Sequence, residues 1–229
     1  MKYLFFSLLT LVPAFSFAAG DSTAHDENSP LHVSIGLGLT NIDYGSFNNM
    51  AAQNNFPLLK DGTLFDINLG IFIKDKGWKW FGDLNVDFML GNPRNTGAYD
   101  LQESSASGDI NVDYAVFENK RHLFFPSLGI GWQSVTVNYN ADLSGQTFGQ
   151  AMADIAGERK FYANSNIYLN PRIAYNYKLG KAGNCTIGIR AGYRIGLNTP
   201  KWRVANKQKL AGAPKSSANG FYASVNFSF

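Results

Sequence analysis

Only one cysteine, Cys185, occurs in the 229 residues, so the chain cannot cross-link itself with an internal disulfide. Histidine is almost as scarce, with three copies at His25, His32 and His122. Past Val12 no continuous apolar stretch approaches the ~20 residues of a membrane-spanning helix, which excludes spanning helices from that part of the chain. The sequence has no metal-ligand cluster, no Gly-rich phosphate motif and no internal repeat, so no metal and no cofactor are expected. Charge of one sign does not dominate either. Leaving out Lys2, 19 basic residues stand against 17 acidic ones, which gives no general case for nucleic acid.

What the N-terminus does have is the pattern of an export signal. Met1-Lys2 is a short positive segment, Tyr3 to Val12 is apolar, and Pro13 breaks the run. Ser16-Phe17-Ala18 then supplies small residues where a signal peptidase reads. The expected organisation is a signal peptide over 1–18, a flexible segment over 19–30 and one folded unit over 31–229. The apolar run is about half of what an uncleaved anchor needs.

The rest of the chain alternates. Eight segments are apolar at every second position, the period of a strand with two unlike faces. In order, they begin with Leu31, Val33, Ile35, Leu37 and Leu39, and continue with Phe65 to Ile73, Trp80 to Leu90 and Ile110 to Val116. The second half has Phe124 to Trp132, Ile167 to Tyr177, Ile187 to Leu197 and Phe221 to Phe229. Val135, Val137 and Tyr139 fall out of phase with Trp132, which predicts a bulge or an extension of that strand. Pro126 and Pro171 lie inside strands and cannot donate to a ladder. Connector lengths run long, short, long, short, long, short, long. The long ones are near Asn41–Thr63, Asn92–Asp109, Asn140–Ser165 and Asn198–Asn219, and the short ones are Lys74–Lys79, Glu118–His122 and Gly180–Cys185. A chain that weaves up and down through the outer membrane from the periplasm gives this rhythm, with long loops outside and tight turns inside. The fold class expected is all-β, an eight-stranded antiparallel up-and-down transmembrane barrel.

The C-terminal segment Phe221–Phe229 alternates aromatic or apolar residues with small polar ones and stops on Phe229. It resembles the terminal strand of bacterial outer-membrane barrels. The whole chain after the signal resembles the small eight-stranded families typified by the membrane domains of outer-membrane proteins A, X and W. The resemblance is one of architecture. It implies that Phe227 and Phe229 form the signal read by the barrel-insertion machinery, and that the location is the cell outer membrane.

Face assignment separates this reading from a soluble lipocalin-like barrel, whose apolar face would line a ligand cavity. The polar faces hold Asp66, Asp83, Asp87, Asp113, Arg172, Arg190 and Arg194. A basic side chain at the lipid midplane costs ~2–4 kcal/mol, whereas inside a barrel opposite signs can pair. Acids on the second to fourth segments and arginines on the sixth and seventh are therefore expected to form one lumen network. Trp78, Trp80, Phe124, Tyr175, Tyr177, Phe227 and Phe229 fall near the turn ends of their strands, as an interfacial girdle would.

No His sits in or beside a long loop, which argues against a hydrolase at the outer rim. The loop Asn198–Asn219 contains Lys201, Arg203, Lys207, Lys209 and Lys215 without an acid, and Trp202 lies among them. Contact of Lys201, Trp202, Arg203, Lys207 and Lys209 with lipopolysaccharide phosphates is one reading, and a merely solvated basic loop is the other. Gly149–Ala156 has the composition of a short helix. The function expected is a non-enzymatic barrel with a side-chain-plugged lumen, serving membrane integrity or surface interaction among outer-membrane lipid and lipopolysaccharide. A small-solute pore is the alternative, because inward Gly36, Gly38, Gly70, Gly188, Gly192 and Gly196 would leave space.

Overall fold

The computed structural model describes residues 31–59, 62–75, 77–96, 99–141, 159–179, 185–204, 208–209 and 212–229. The expected signal peptide, the 19–30 segment with His25, the Gly149–Ala156 stretch and Lys207 lie outside them. Eight long strands form the frame. They are β1 (Leu31–Asn41), β2 (Thr63–Ile73), β3 (Trp80–Leu90), β4 (Tyr99–Tyr114), β5 (His122–Ala141), β6 (Arg159–Leu179), β7 (Cys185–Gly196) and β8 (Gly220–Ser228). Each pairs antiparallel with its sequence neighbour, and β8 returns to pair with β1, from Thr40 with Tyr222 to Ser34 with Ser228. The ring is closed and leaves no open edge along these strands.

Alternation is resolved by the closure. Outward positions include Leu39, Ile73, Trp80, Ile110, Leu128, Ile130, Ile173, Ile189 and Phe221, all exposed. Inward positions are polar and buried, among them Ser34, Asn68, Asn85, Asn111, Ser127, Asn170, Asn176 and Asn226. This is the reverse of a soluble barrel around an apolar cavity, so the lipocalin alternative is set aside. Aromatic residues mark the turn end of the outer surface, where Trp80 lies 4.7 Å from Tyr114.

Strand lengths depart from the sequence reading on one side of the ring. β4 begins at Tyr99 rather than Ile110, so most of the expected loop Asn92–Asp109 is strand. Its added inward residues are Leu101, Glu103, Ser105, Ser107 and Asp109, while its outward ones are Gln102, Ser104, Ala106 and Gly108. That stretch carries no apolar outer stripe, so it has the pleat of a strand without its hydrophobic signature. β5 and β6 extend beside it to Ala141 and from Arg159. Between Gln133 and Val135 the β5–β6 register shifts. The extra residue lies on β6, between Ala163 and Asn166, while β5 alternates unbroken and Val135, Val137 and Tyr139 follow Gln133 inward, so the phase change marks an extended strand whose inner face turns apolar.

The prolines act where expected. The β4–β5 ladder stops at Asp113 with Ser127, one step before Pro126. The β6–β7 ladder skips Asn170 and Pro171 and resumes at Arg172 with Gly192. Each missing N–H thus costs pairing to one neighbour only.

The first long connector folds back over the barrel end as helix α1 (Gly45–Gln53), which buries Phe47 and Ala51. Asp43 Oδ1 accepts from the Gly45 N–H at its start. The Asn48 amide clamps the backbone of Leu59, donating to its carbonyl at 2.9 Å and accepting from its N–H at 2.8 Å. Gly62 closes this loop with φ +50°, and a Cβ there would lie 2.0 Å from the Ile42 carbonyl oxygen, so only glycine fits. In the last connector Arg203–Val204 pairs with Tyr162 and Phe161 of β6 and with Gln208–Lys209.

Candidate functional site

The inward column of β3 spans the height of the interior. From the short-turn end it reads Phe81, Asp83, Asn85, Asp87 and Met89, that is, apolar, polar, apolar. The neighbouring strands repeat the order, and the lumen is built in three tiers.

The lower tier is an apolar cluster of Phe72, Phe81, Ala115, Leu123, Phe125 and Ala174. Phe81 and Phe125 meet edge to face at 4.9 Å, and His32 stacks on Phe72 at 4.5 Å. Below it, Glu118 receives Lys74 at 2.8 Å and Lys178 at 3.0 Å, tying two turns and the end of β6 together. Burial raises the Glu118 carboxyl, but the two lysines outweigh it and hold the group below the ordinary glutamate range.

The middle tier holds the charges. Arg172 on β6 reaches Asp83, and Asp113 at 3.1 Å. Arg194 on β7 donates to Asp87 Oδ2 at 2.8 Å, with its guanidinium between the rings of Tyr168 and Tyr222 at 5.4 and 5.0 Å. Arg190 donates to the Asn85 side-chain oxygen at 2.7 Å. Asn85 in turn donates to Asp83 at 2.7 Å and Asp109 at 3.2 Å, and Asn111 donates to Asp83 at 2.7 Å. Tyr168 reaches Asp109 at 3.1 Å, Ser107 reaches Asp87 at 2.8 Å, and Asn68 also donates to Asp87. Asp66 sits at the edge and accepts from Thr40 Oγ1 at 2.8 Å. All seven expected lumen residues are buried. Asp83, Asp87, Asp113, Arg172, Arg190 and Arg194 are brought together, whereas Asp66 is buried at the edge and bonds Thr40 rather than an arginine. Sequence reasoning misses Asp109, which falls at the end of an expected loop, and the tyrosines that flank Arg194.

The upper tier is apolar again. Leu64, Met89, Leu101, Val135, Val137, Tyr139 and Ala163 pack under Ile42, Tyr44, Phe47, Ala51, Leu59 and Trp202. Phe47 lies 4.6 Å from Trp202 and 5.6 Å from Phe161. Arg94 and Glu103 pair beside this cap. The inward glycines leave little room, because neighbouring side chains fill them. A Cβ at Gly188 would lie 2.1 Å from the Asn176 side-chain oxygen.

One expected site residue is placed otherwise than its neighbours in sequence suggest. The sequence groups Trp202 with Lys201 and Arg203 at a lipid surface, yet only 3% of it is exposed. Strand-like alternation in the connector turns Trp202 toward Phe47 while Lys201 and Arg203 face the other way. Lys201 is opposite Lys215, and the backbone of Arg203 pairs with residue 209. Like charges directly opposite one another are unfavourable. Among the described residues none of Lys160, Lys201, Arg203 and Lys215 has a carboxylate partner, and Lys160 is exposed on the adjoining stretch of β6. Phe227 faces outward between Ile35 and Ile187, and Phe229 exchanges backbone hydrogen bonds of 2.9 Å with Val33. Cys185 is exposed and unpaired at the first position of β7.

The chain matches no protein-family model and no curated protein sequence. Among solved structures it is similar to a major outer membrane protein from Thermus thermophilus, with TM-score 0.51 and 9% identity over 87% of this chain and 98% of that one. The attachment invasion locus protein Ail of Yersinia pestis gives TM-score 0.46 and 13% identity over 87% of this chain and 97% of that one. OprG of Pseudomonas aeruginosa gives 0.45 and 10% over 88% and 95%. At the level of its fold, then, the chain is an eight-stranded antiparallel barrel of the small outer-membrane kind.

Proposed function

We propose that the chain spans the bacterial outer membrane as a non-enzymatic, non-conducting barrel that serves membrane integrity or surface interaction. The observation that carries this reading is the three-tier lumen, in which a polar network lies between two apolar plugs. Water and ions crossing such an interior would have to displace Phe81 and Phe125 at one end and Met89, Phe47 and Trp202 at the other. The apolar outer surface supports a lipid environment, since charged groups are kept from it. The long connectors then face the cell exterior and the short turns face the periplasm. On that reading Lys160, Lys201, Arg203 and Lys215 stand outward above the lipid-facing band. There they meet the phosphates of lipopolysaccharide, which relieve the repulsion between opposed cations. Phe227 and Phe229 serve as the insertion signal, and residues 1–18 as the export signal.

Two measurements test the reading. Purified protein should migrate faster in detergent gels before boiling than after, as closed barrels do, and should give no single-channel steps in planar bilayers. Regular conductance steps from the wild-type chain would replace the plug with a pore.

A further inference from the structure

The outer surface is not evenly ridged. Two alanines face each other across the β7–β8 pair, Ala191 with Ala223, and the row continues to Leu39 on one side and Ile173 on the other. The small pair leaves an apolar groove of about 490 Å³ that crosses five strands. It follows the hydrogen-bonding direction and therefore runs obliquely. At the β1 end it reaches Leu39, two residues from the long-loop end of that strand. At the β5–β6 end it reaches Phe124 and Tyr175, close to the short-turn rim.

That low end meets polar and charged groups. The Tyr175 hydroxyl lies 2.6 Å from His122 Nδ1, and the His122 ring packs edge-on against Tyr177 at 5.4 Å. Arg121, next in sequence, is exposed and lies 3.5 Å from the Tyr177 hydroxyl. Among the described residues it has no carboxylate partner, because the nearby Glu118 is already taken by Lys74 and Lys178. Lys120 is exposed beside it.

We propose that this groove is a binding site for one phospholipid of the periplasmic leaflet, with an acyl chain over Ala191 and Ala223 and an anionic phosphate headgroup against Arg121. The proposal rests on the transmembrane reading above, which supplies the lipid and the orientation. Charge complementarity chooses the occupant. The groove is apolar along its length and opens at its periplasmic end onto an unneutralised guanidinium flanked by interfacial tyrosines. A purely apolar partner would leave Arg121 unused, and a soluble anion would leave the groove unfilled.

The test is lipid retention by the full barrel. Protein purified in mild detergent is mixed with phosphatidylglycerol or with phosphatidylcholine of the same acyl chains, and bound lipid is counted by native mass spectrometry. One phosphatidylglycerol per barrel is expected, in preference to phosphatidylcholine. Arg121→Gln should lower that preference about fivefold, the effect of one cation at an anionic lipid surface. Ala191→Phe, which fills the groove with an apolar side chain, should abolish retention of both lipids. Ala223→Leu gives the same readout if the phenylalanine is not tolerated. Equal retention by wild type and the groove variants, or no headgroup preference in wild type, overturns the proposal. Heat-modifiable migration is read on every sample. Its loss in wild type would count against the membrane barrel, whereas its presence without bound lipid counts against the groove site alone.

Discussion

Replacing Arg172 with alanine removes the one side chain among the described residues that bonds both Asp83 and Asp113. These groups are almost fully shielded, so the change leaves Asp83 and Asp113 without the cation they share, and Arg190 still acts on Asp113. Breaking a buried pair in this way costs ~3–5 kcal/mol, against ~0–1 kcal/mol for an exposed pair. The lower part of the range applies here, because Asp83 retains the amides of Asn85 and Asn111 and Asp113 retains Ser127. A loss of ~3 kcal/mol with a urea slope of ~2 kcal/mol per molar moves the unfolding midpoint down by ~1.5 M. The assay is urea unfolding in lipid vesicles, followed by heat-modifiable migration. Arg203→Ala, in the exposed connector, is the control and should change stability by no more than ~1 kcal/mol. Adding Asp83→Asn to Arg172→Ala should recover part of the loss, since it removes one of the orphaned charges. A stability for Arg172→Ala within ~0.5 kcal/mol of wild type, with unchanged conductance, would refute the ion-paired lumen.

Other outcomes follow from the same structure. An epitope inserted after Thr96 should be reachable on intact cells, and one inserted after Asn119 should not; the opposite labelling would invert the orientation. Trp78, Trp80 and Trp132 are exposed on the outer surface and Trp202 is buried in the cap, so brominated lipids should quench the first three and spare a variant that keeps only Trp202. Strong quenching of Trp202 would return it to the lipid surface. Glu118 titrates below the ordinary glutamate range when folded, so its contribution is present above the unfolded value of ~4.3 and is lost as pH falls through the lower folded one. Glu118→Gln should therefore cost no more than ~1 kcal/mol at pH 7 and nothing once the carboxyl is protonated; a gap that widens toward low pH would contradict this. A thiol reagent confined outside intact cells should not reach Cys185, and rapid labelling would overturn its place at the periplasmic end.

Strand count, faces and lumen charges were legible because period-two alternation states them directly. In β3, Asp83, Asn85 and Asp87 lie in phase between Leu84, Val86 and Phe88, and the pleat sends them inward. The ends of the lumen were harder to read. Phe72 sits between Ile71 and Ile73, so its inward position is hidden in a continuous apolar run. The upper part of β4 was hidden for the opposite reason, since Gln102, Ser104 and Gly108 give no outer stripe where the strand rises past the apolar band. The cap over the barrel end depends on Phe47 meeting Trp202 across 155 residues of chain, and no local pattern announces a contact of that span.

The partners in the lumen network are also far apart in the order of synthesis. The acids stand on β2, β3 and β4, and the arginines that meet them stand on β6 and β7. Arg172 is separated by 89 residues from Asp83, and Arg194 by 107 from Asp87. Neither half of the chain can neutralise itself. A partly assembled sheet that ends before β6 exposes uncompensated carboxylates along its concave side, and the later hairpins carry the matching cations. Joining the two halves brings Arg172 to Asp83 and Asp113 and Arg194 to Asp87, and the ring closes where β8 pairs with β1. The charge arrangement therefore works as a latch on assembly. It penalises an open sheet, because each half then holds lumen charges of one sign without the partners that the closed ring supplies.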